Sequence, residues 1–331
     1  MASRATDNLR TYFRKATLPE MLCDPNAPNM PPAGQRSQHA TVCVGHEPWR
    51  QLAEIRALGE AWGADERIPT QSMGTEDMDE ESGERFTIPS GPTFDIPPHV
   101  GRRPTDITRM IPWLDYLPLM TVQRMLHLVF PTQTADWSFS LVDSTENKDR
   151  NVYQQFVWSY SGTKKPTVFT PLGNIARYPL VIAFQPPWIL STQDMLEFSE
   201  CREFPRFEPS NARSYALEAK ERLWAKVWDT CVARKTRWFV LTSYTHWVLG
   251  VFSEGWTIGF VSNVYGFDTR DATILELLAF WIACAMRLPG WRALPKVRLS
   301  FCVLRNANHG RKYQIRETLT SGPPRIPASS S

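Results

Sequence analysis

The sequence predicts an α+β protein: a mixed or antiparallel sheet flanked by helices, preceded by a disordered N-terminal arm. Three observations carry this. Between residues 109 and 320 apolar residues switch repeatedly between helical spacing and strand-like alternation. The strand-like runs come in groups joined by short turns and separated by helices, which differs from the strict strand–helix alternation of a doubly wound parallel sheet. Residues 1–108, by contrast, hold Pro25, Pro28, Pro31 and Pro32 and an acidic stretch at 76–84, a composition that buries too little to offset the entropy of ordering.

Within that arm, Pro48–Trp62 is the exception. Leu52, Ile55 and Leu58 recur at helical spacing, so a short helix at 48–62 is expected, docking on the core or on a partner. The globular domain then runs over 109–320 with a tail at 321–331. Pro118–Phe130 opens it as an amphipathic helix, with Pro118 suited to a first turn. Asp136–Val142 alternates Trp137, Phe139 and Leu141 with polar residues, Val152–Tyr160 is rich in aromatic and β-branched residues, and Leu180–Phe184 is wholly apolar. These are the first three strands.

Ser191–Asp194 resembles a capping box and opens a short helix to Ser199. A longer helix spans Ala212–Lys235, with Leu217, Trp224, Trp228 and Cys231 on its apolar stripe and Glu218, Lys220, Glu221 and Lys226 facing water. Three more strands follow, Arg237–Ser243, Trp247–Phe252 and Trp256–Val264, with a tight turn at Glu254-Gly255. Thr273–Arg287 is a helix apolar nearly all round, which only burial tolerates. Val297–Leu304 and Tyr313–Leu319 form a last hairpin. The order is helix, three strands, helix, three strands, helix.

Composition bounds the function. The start of the chain carries no apolar run of a secretory signal, and the longest apolar run, Ile274–Met286, has 13 residues where a membrane span needs about 20. An intracellular location, cytoplasmic or nuclear, with no membrane contact is expected. The 6 cysteines form no Cys-x-x-Cys, so free thiols are the default. Cys43-Val-Gly-His46 has a ligand-like gap with no second pair after it, so no metal is assigned. No Gly-rich phosphate loop, nucleophile elbow or helical His pair is present, and no cofactor is expected.

Four residues remain as candidates for chemistry, none in a complete catalytic set. Asp143 and Glu146 end a strand ahead of Lys148, Asp149 and Arg150, a group that could hold Mg²⁺ but reads as a solvated loop. Glu200 follows the short helix that ends at Ser199. His246 sits at a bend between two apolar strands, where a base could act. The charge distribution is asymmetric: residues 287–331 hold nine Lys/Arg and one acid, Glu317, against a total of +3 for the chain. Arg298, Arg305, Arg311, Lys312 and Arg316 are therefore candidates to bind nucleic acid, another polyanion or the chain's own acidic stretch at 76–84.

The run from Lys235 to Met286, with the earlier 184–207 and the helix at 212–235, resembles a family of uncharacterised proteins from mushroom-forming (basidiomycete) fungi, over about a third of the chain. More loosely, the element order is similar to the restriction-endonuclease-like fold. That resemblance implies an acid on the second core strand and a Glu-x-Lys on the third, holding Mg²⁺. Here Val152–Tyr160 offers only Gln154 and Gln155, and Leu180–Phe184 carries no charge. The expectation is a non-enzymatic interaction or scaffold protein with a protein partner. The alternative is an inactive, nuclease-like nucleic-acid-binding protein.

Overall fold

Alternation along each strand decides which helix covers which side of the sheet. The computed structural model describes residues 9–37, 42–44, 49–59, 102–142, 149–162, 178–205 and 217–288, and the backbone of 297–304 and 312–319. In chain order the elements are α1 (Leu9–Lys15), β1 (Glu54–Ala57), α2 (Ile107–Leu114), a π-helical turn (Asp115–Leu119) and α3 (Met120–Val129). Then come the one-turn α4 (Pro131–Thr134), β2 (Trp137–Leu141), β3 (Gln154–Tyr160), β4 (Leu180–Phe184), α5 (Thr192–Glu200) and α6 (Ala219–Arg234). The chain continues through β5 (Trp238–Thr242), β6 (His246–Phe252), β7 (Ile258–Val261), β8 (Tyr265–Gly266), α7 (Ile274–Met286), β9 (Val297–Leu304) and β10 (Lys312–Leu319).

Eight strands make one mixed sheet in the order β1-β7-β6-β5-β4-β3-β2, with the short β8 also paired to β6. β1 runs parallel to β7 and β4 parallel to β5, while the remaining pairs are antiparallel. Trp238 and Val240 pack with Leu277 and Trp281 of α7, whereas Phe239 and Leu241 pack with Phe198 of α5 and Trp224 of α6. The helices α1, α2, α3 and α7 thus cover one face and α5 and α6 the other, a three-layer sandwich. The α+β class and the mixed, helix-flanked sheet are as the sequence predicts. Among the described residues no helix is long and apolar enough to cross a membrane.

The central helix α7 explains itself locally. Thr273 accepts from the Glu276 N–H while Glu276 accepts from the Thr273 N–H, a capping box that fixes the start. Twelve of its thirteen residues are buried, Glu276 included. The first helical stretch begins earlier than Pro118. Pro118 lies inside the π-turn, where its missing N–H and ring bulk prevent the ordinary i→i−4 bond and the turn widens.

The expected helix at 48–62 is corrected. Glu54–Ala57 is a strand, parallel to β7 at the sheet edge. Of the three periodic residues only Ile55 lies in the strand, as its one buried side chain and in the same apolar cluster as Leu52, while Leu58 follows the strand and joins the other cluster. The arm expected over 1–108 is likewise anchored where it is described. Leu9, Tyr12 and Phe13 of α1 are buried against the α7 side, and Thr273 Oγ1 donates to the Phe13 carbonyl at 2.6 Å. The acidic stretch at 76–84 lies outside the described residues.

Both edges of the sheet are closed. Beyond β1, the Ile55 N–H donates to the Arg202 carbonyl and the Phe204 N–H to that of Ala53. Beyond β2, α3 supplies side chains one turn apart: Gln123 accepts the Phe139 N–H at 3.0 Å and His127 Nε2 meets the Trp137 carbonyl at 2.8 Å. An edge satisfied in this way cannot readily template another strand.

Candidate functional site

In sheets with parallel strands, ligands tend to sit beyond the carboxyl ends of those strands. Here that position lies beyond β4 and β5, which are joined by α5 and α6. The chain leaves β4 through Gln185, whose backbone N–H bonds the Thr242 carbonyl and whose amide Nε2 donates to the Val152 carbonyl at 3.0 Å. Two prolines then lead to Ser191, the N-cap of α5. A cavity of about 50 Å³ remains between the two helices, lined in part by Ser37, Gln185, Asp194, Glu197, Lys220 and Leu223. Sites for small molecules are usually several hundred Å³.

The polar groups around this crevice are bonded to one another. Asp194 accepts from the Ser191 N–H and hydroxyl, at 3.0 and 2.7 Å, and from the Ser37 N–H at 3.0 Å. The Ser37 hydroxyl donates to the Trp188 carbonyl at 2.7 Å. Glu197 pairs with Arg36 at 2.6 Å and accepts from Gln193 at 3.1 Å. Burial alone would raise the Glu197 carboxyl, but the Arg36 and Gln193 bonds outweigh it and hold it below the usual range. Lys220 pairs with Glu218 at 3.2 Å. Residues 36–37 of the N-terminal stretch therefore strap the first turns of α5.

His246 opens β6 rather than occupying the bend before it. Its ring nitrogens lie 3.4 and 3.5 Å from Thr192 Oγ1, and Nδ1 lies 3.2 Å from Thr245 Oγ1. Ser243 Oγ is 3.0 Å from Thr245 Oγ1, completing a hydroxyl–hydroxyl–imidazole chain. Burial lowers the imidazole pKa and the Asp268 charge opposes that only in part, so the ring is neutral near pH 7. Ser243 is fully buried, which closes it to a substrate. The turn is held by Tyr244, a left-handed residue at φ 68° whose hydroxyl donates to the Pro19 carbonyl at 3.0 Å.

The four candidate residues are not brought together. Glu200 is exposed at the last position of α5, eight residues beyond Thr192 and so about 12 Å along the helix from the histidine's contact. Asp143 and Glu146 lie outside the described residues. Of the basic candidates, Arg298 is on β9 and Lys312 and Arg316 on β10, while Arg305 and Arg311 lie outside. Among the described residues no three His, Cys, Asp or Glu side chains gather as metal ligands. Cys43 is exposed and His46 lies outside the described residues.

A polar cluster that pattern reading misses lies under α6. Asp149, expected in a solvated loop, is buried, and Lys226, expected to face water, pairs with it at 2.6 Å. Asp149 also accepts the Cys43 N–H at 3.0 and 3.2 Å. Burial acts to raise its pKa, but Lys226 and the Cys43 N–H prevail and lower it. Lys226 Nζ lies 5.2 Å from the Tyr153 ring centre, and the Tyr153 hydroxyl is 3.1 Å from Thr230 Oγ1. The available signal was weak: in the two-faced pattern of α6, Lys226 flanks Val227 at the border of the apolar stripe. No protein-family model matches the chain, and neither a curated protein nor a solved structure resembles it at a significant level.

Proposed function

We propose that this chain is a non-enzymatic interaction protein, a three-layer body whose polar groups hold its segments together. The observation that carries this is the state of the carboxyl-end crevice. Asp194 is engaged by Ser37, Glu197 by Arg36, Lys220 by Glu218 and His246 by Thr245. A general base or nucleophile must reach a substrate atom within hydrogen-bond distance. Groups held by internal partners around about 50 Å³ of space are better suited to joining the N-terminal stretch, α5 and the β5–β6 turn.

The nuclease-like alternative draws support from the mixed sheet, but β3 and β4 contain no acid and no lysine to hold Mg²⁺ or steady a water. The test is direct. Purified full-length protein should leave single- and double-stranded DNA and RNA intact with Mg²⁺ or Mn²⁺. Metal-dependent cleavage that disappears in Asp143→Ala or Glu200→Ala would overturn the non-enzymatic reading.

A further inference from the structure

Beyond the interaction role, we infer that the C-terminal ribbon binds the major groove of double-stranded DNA through one of its two faces. β9 and β10 pair antiparallel over their whole length, from Val297 opposite Leu319 to Leu304 opposite Lys312. Residues directly opposite share a face, and the face alternates along each strand. This register sorts the ribbon by chemistry. Arg298, Ser300, Lys312, Gln314, Arg316 and Thr318 fall on one face, with Cys302 and Leu304. Val297, Leu299, Phe301, Val303, Tyr313 and Ile315 fall on the other, with Leu319 and the ribbon's one acid, Glu317.

The first face has the composition that reads duplexes. Arginine and lysine meet phosphates and guanine edges, glutamine meets adenine, and serine and threonine meet either. The register places its three cations on the side opposite Glu317. A two-stranded ribbon fits the B-form major groove, about 12 Å wide. Eight residues at about 3.4 Å each give a reading face about 27 Å long. Two rival ligands fit less well. Single strands are held by stacking on aromatic side chains, and the ribbon's aromatic residues, Phe301 and Tyr313, fall on the opposite face. The A-form RNA major groove is too deep and narrow for side chains to read.

The experiment uses full-length protein and duplex DNA, duplex RNA and single-stranded DNA of equal length, with affinity measured across salt. Three phosphate contacts give a slope near −2.7 in log affinity against log salt, so duplex DNA binding should fall about 40-fold between about 50 and 200 mM. Arg298→Ala with Lys312→Ala and Arg316→Ala should flatten that slope by about 2.7. Glu317→Gln, on the other face, should leave it unchanged, and this variant retains every cation should the triple variant fail to fold. Ser300→Ala with Gln314→Ala should keep the slope and blunt any sequence preference. Equal or tighter binding of single strands or duplex RNA, no binding at about 50 mM salt, or a slope altered as much by Glu317→Gln as by the triple change would overturn the inference. Failure of any of these leaves the non-enzymatic reading standing, since only cleavage bears on that.

Discussion

The two faces of the sheet are held by different forces. On the α7 side, Trp238, Val240, Leu249 and Val251 of the sheet meet Leu277, Leu278 and Trp281, and the core there is mostly apolar, with Thr273 and Glu276 buried at the start of α7. On the α6 side, large aromatics such as Trp224 and Phe239 share the layer with Asp149, Lys226, Tyr153, Gln155 and Thr230. The first face gains stability from area removed from water, which is insensitive to pH and to detailed geometry. The second depends on completed pairs, which specify where segments 36–37, 42–44 and 149–153 must sit but become costly when half-made. The lesson is a division of labour: one layer, mostly apolar, buries Leu9, Tyr12 and Phe13 of the N-terminal stretch, and the other fixes residues 36–37 and 42–44 through completed pairs.

The largest test of this difference is Trp281→Ala. The ring is buried, lies 4.8 Å from that of Trp238 and donates through Nε1 to the Phe239 carbonyl at 3.0 Å. The loss should be about 3–5 kcal/mol in urea unfolding, and the same at pH 7 and pH 5. A change under about 1 kcal/mol would mean that α7 is not the main apolar anchor.

On the other face, Asp149→Asn should cost about 3 kcal/mol at pH 7, because Lys226 is left partly buried without its counter-charge. The cost should depend on pH. The Asp149 pKa is lowered in the folded protein, so its contribution is present above the ordinary carboxylate value of about 4 and is lost as pH falls through the folded value. Wild type and variant should therefore converge below about pH 4. A pH-independent difference would show that packing, not charge, holds the cluster.

Gln155→Leu should have the smallest effect. Gln155 is buried in β3, and its Oε1 has no hydrogen-bond partner among the described residues. Removing this unsatisfied buried oxygen should leave stability unchanged or raise it by up to about 1 kcal/mol. A loss above about 1 kcal/mol would indicate that the amide is satisfied in solution, and that the second face is more completely paired than its geometry suggests.

Much of the element order was readable from pattern alone. The strands at 136–142, 152–160 and 180–184, the capping box at Ser191 and the buried helix at Thr273 all lie where spacing and caps put them. Leu52, Ile55 and Leu58 carry a helical spacing, but only Ile55 falls inside the four-residue strand, whose pairing with the distant β7 no local pattern shows. The candidate site was less legible, since His246 was identifiable as a residue type in a turn, while its partners Thr192 and Thr245 come from two different elements.

What the sequence by itself determined are the local choices: where caps, turns and apolar periods place helices and strands, and the positive charge gathered after Arg287. These depend on residues within a few positions of one another. Tertiary structure decided the strand order, the parallel β4–β5 pair, the closed sheet edges and the burial of Asp149 against Lys226. Those rest on partners tens to hundreds of positions apart, as with Thr273 and Phe13. Local propensity is blind to such contacts, because a buried charge is stable only once its distant partner is in place.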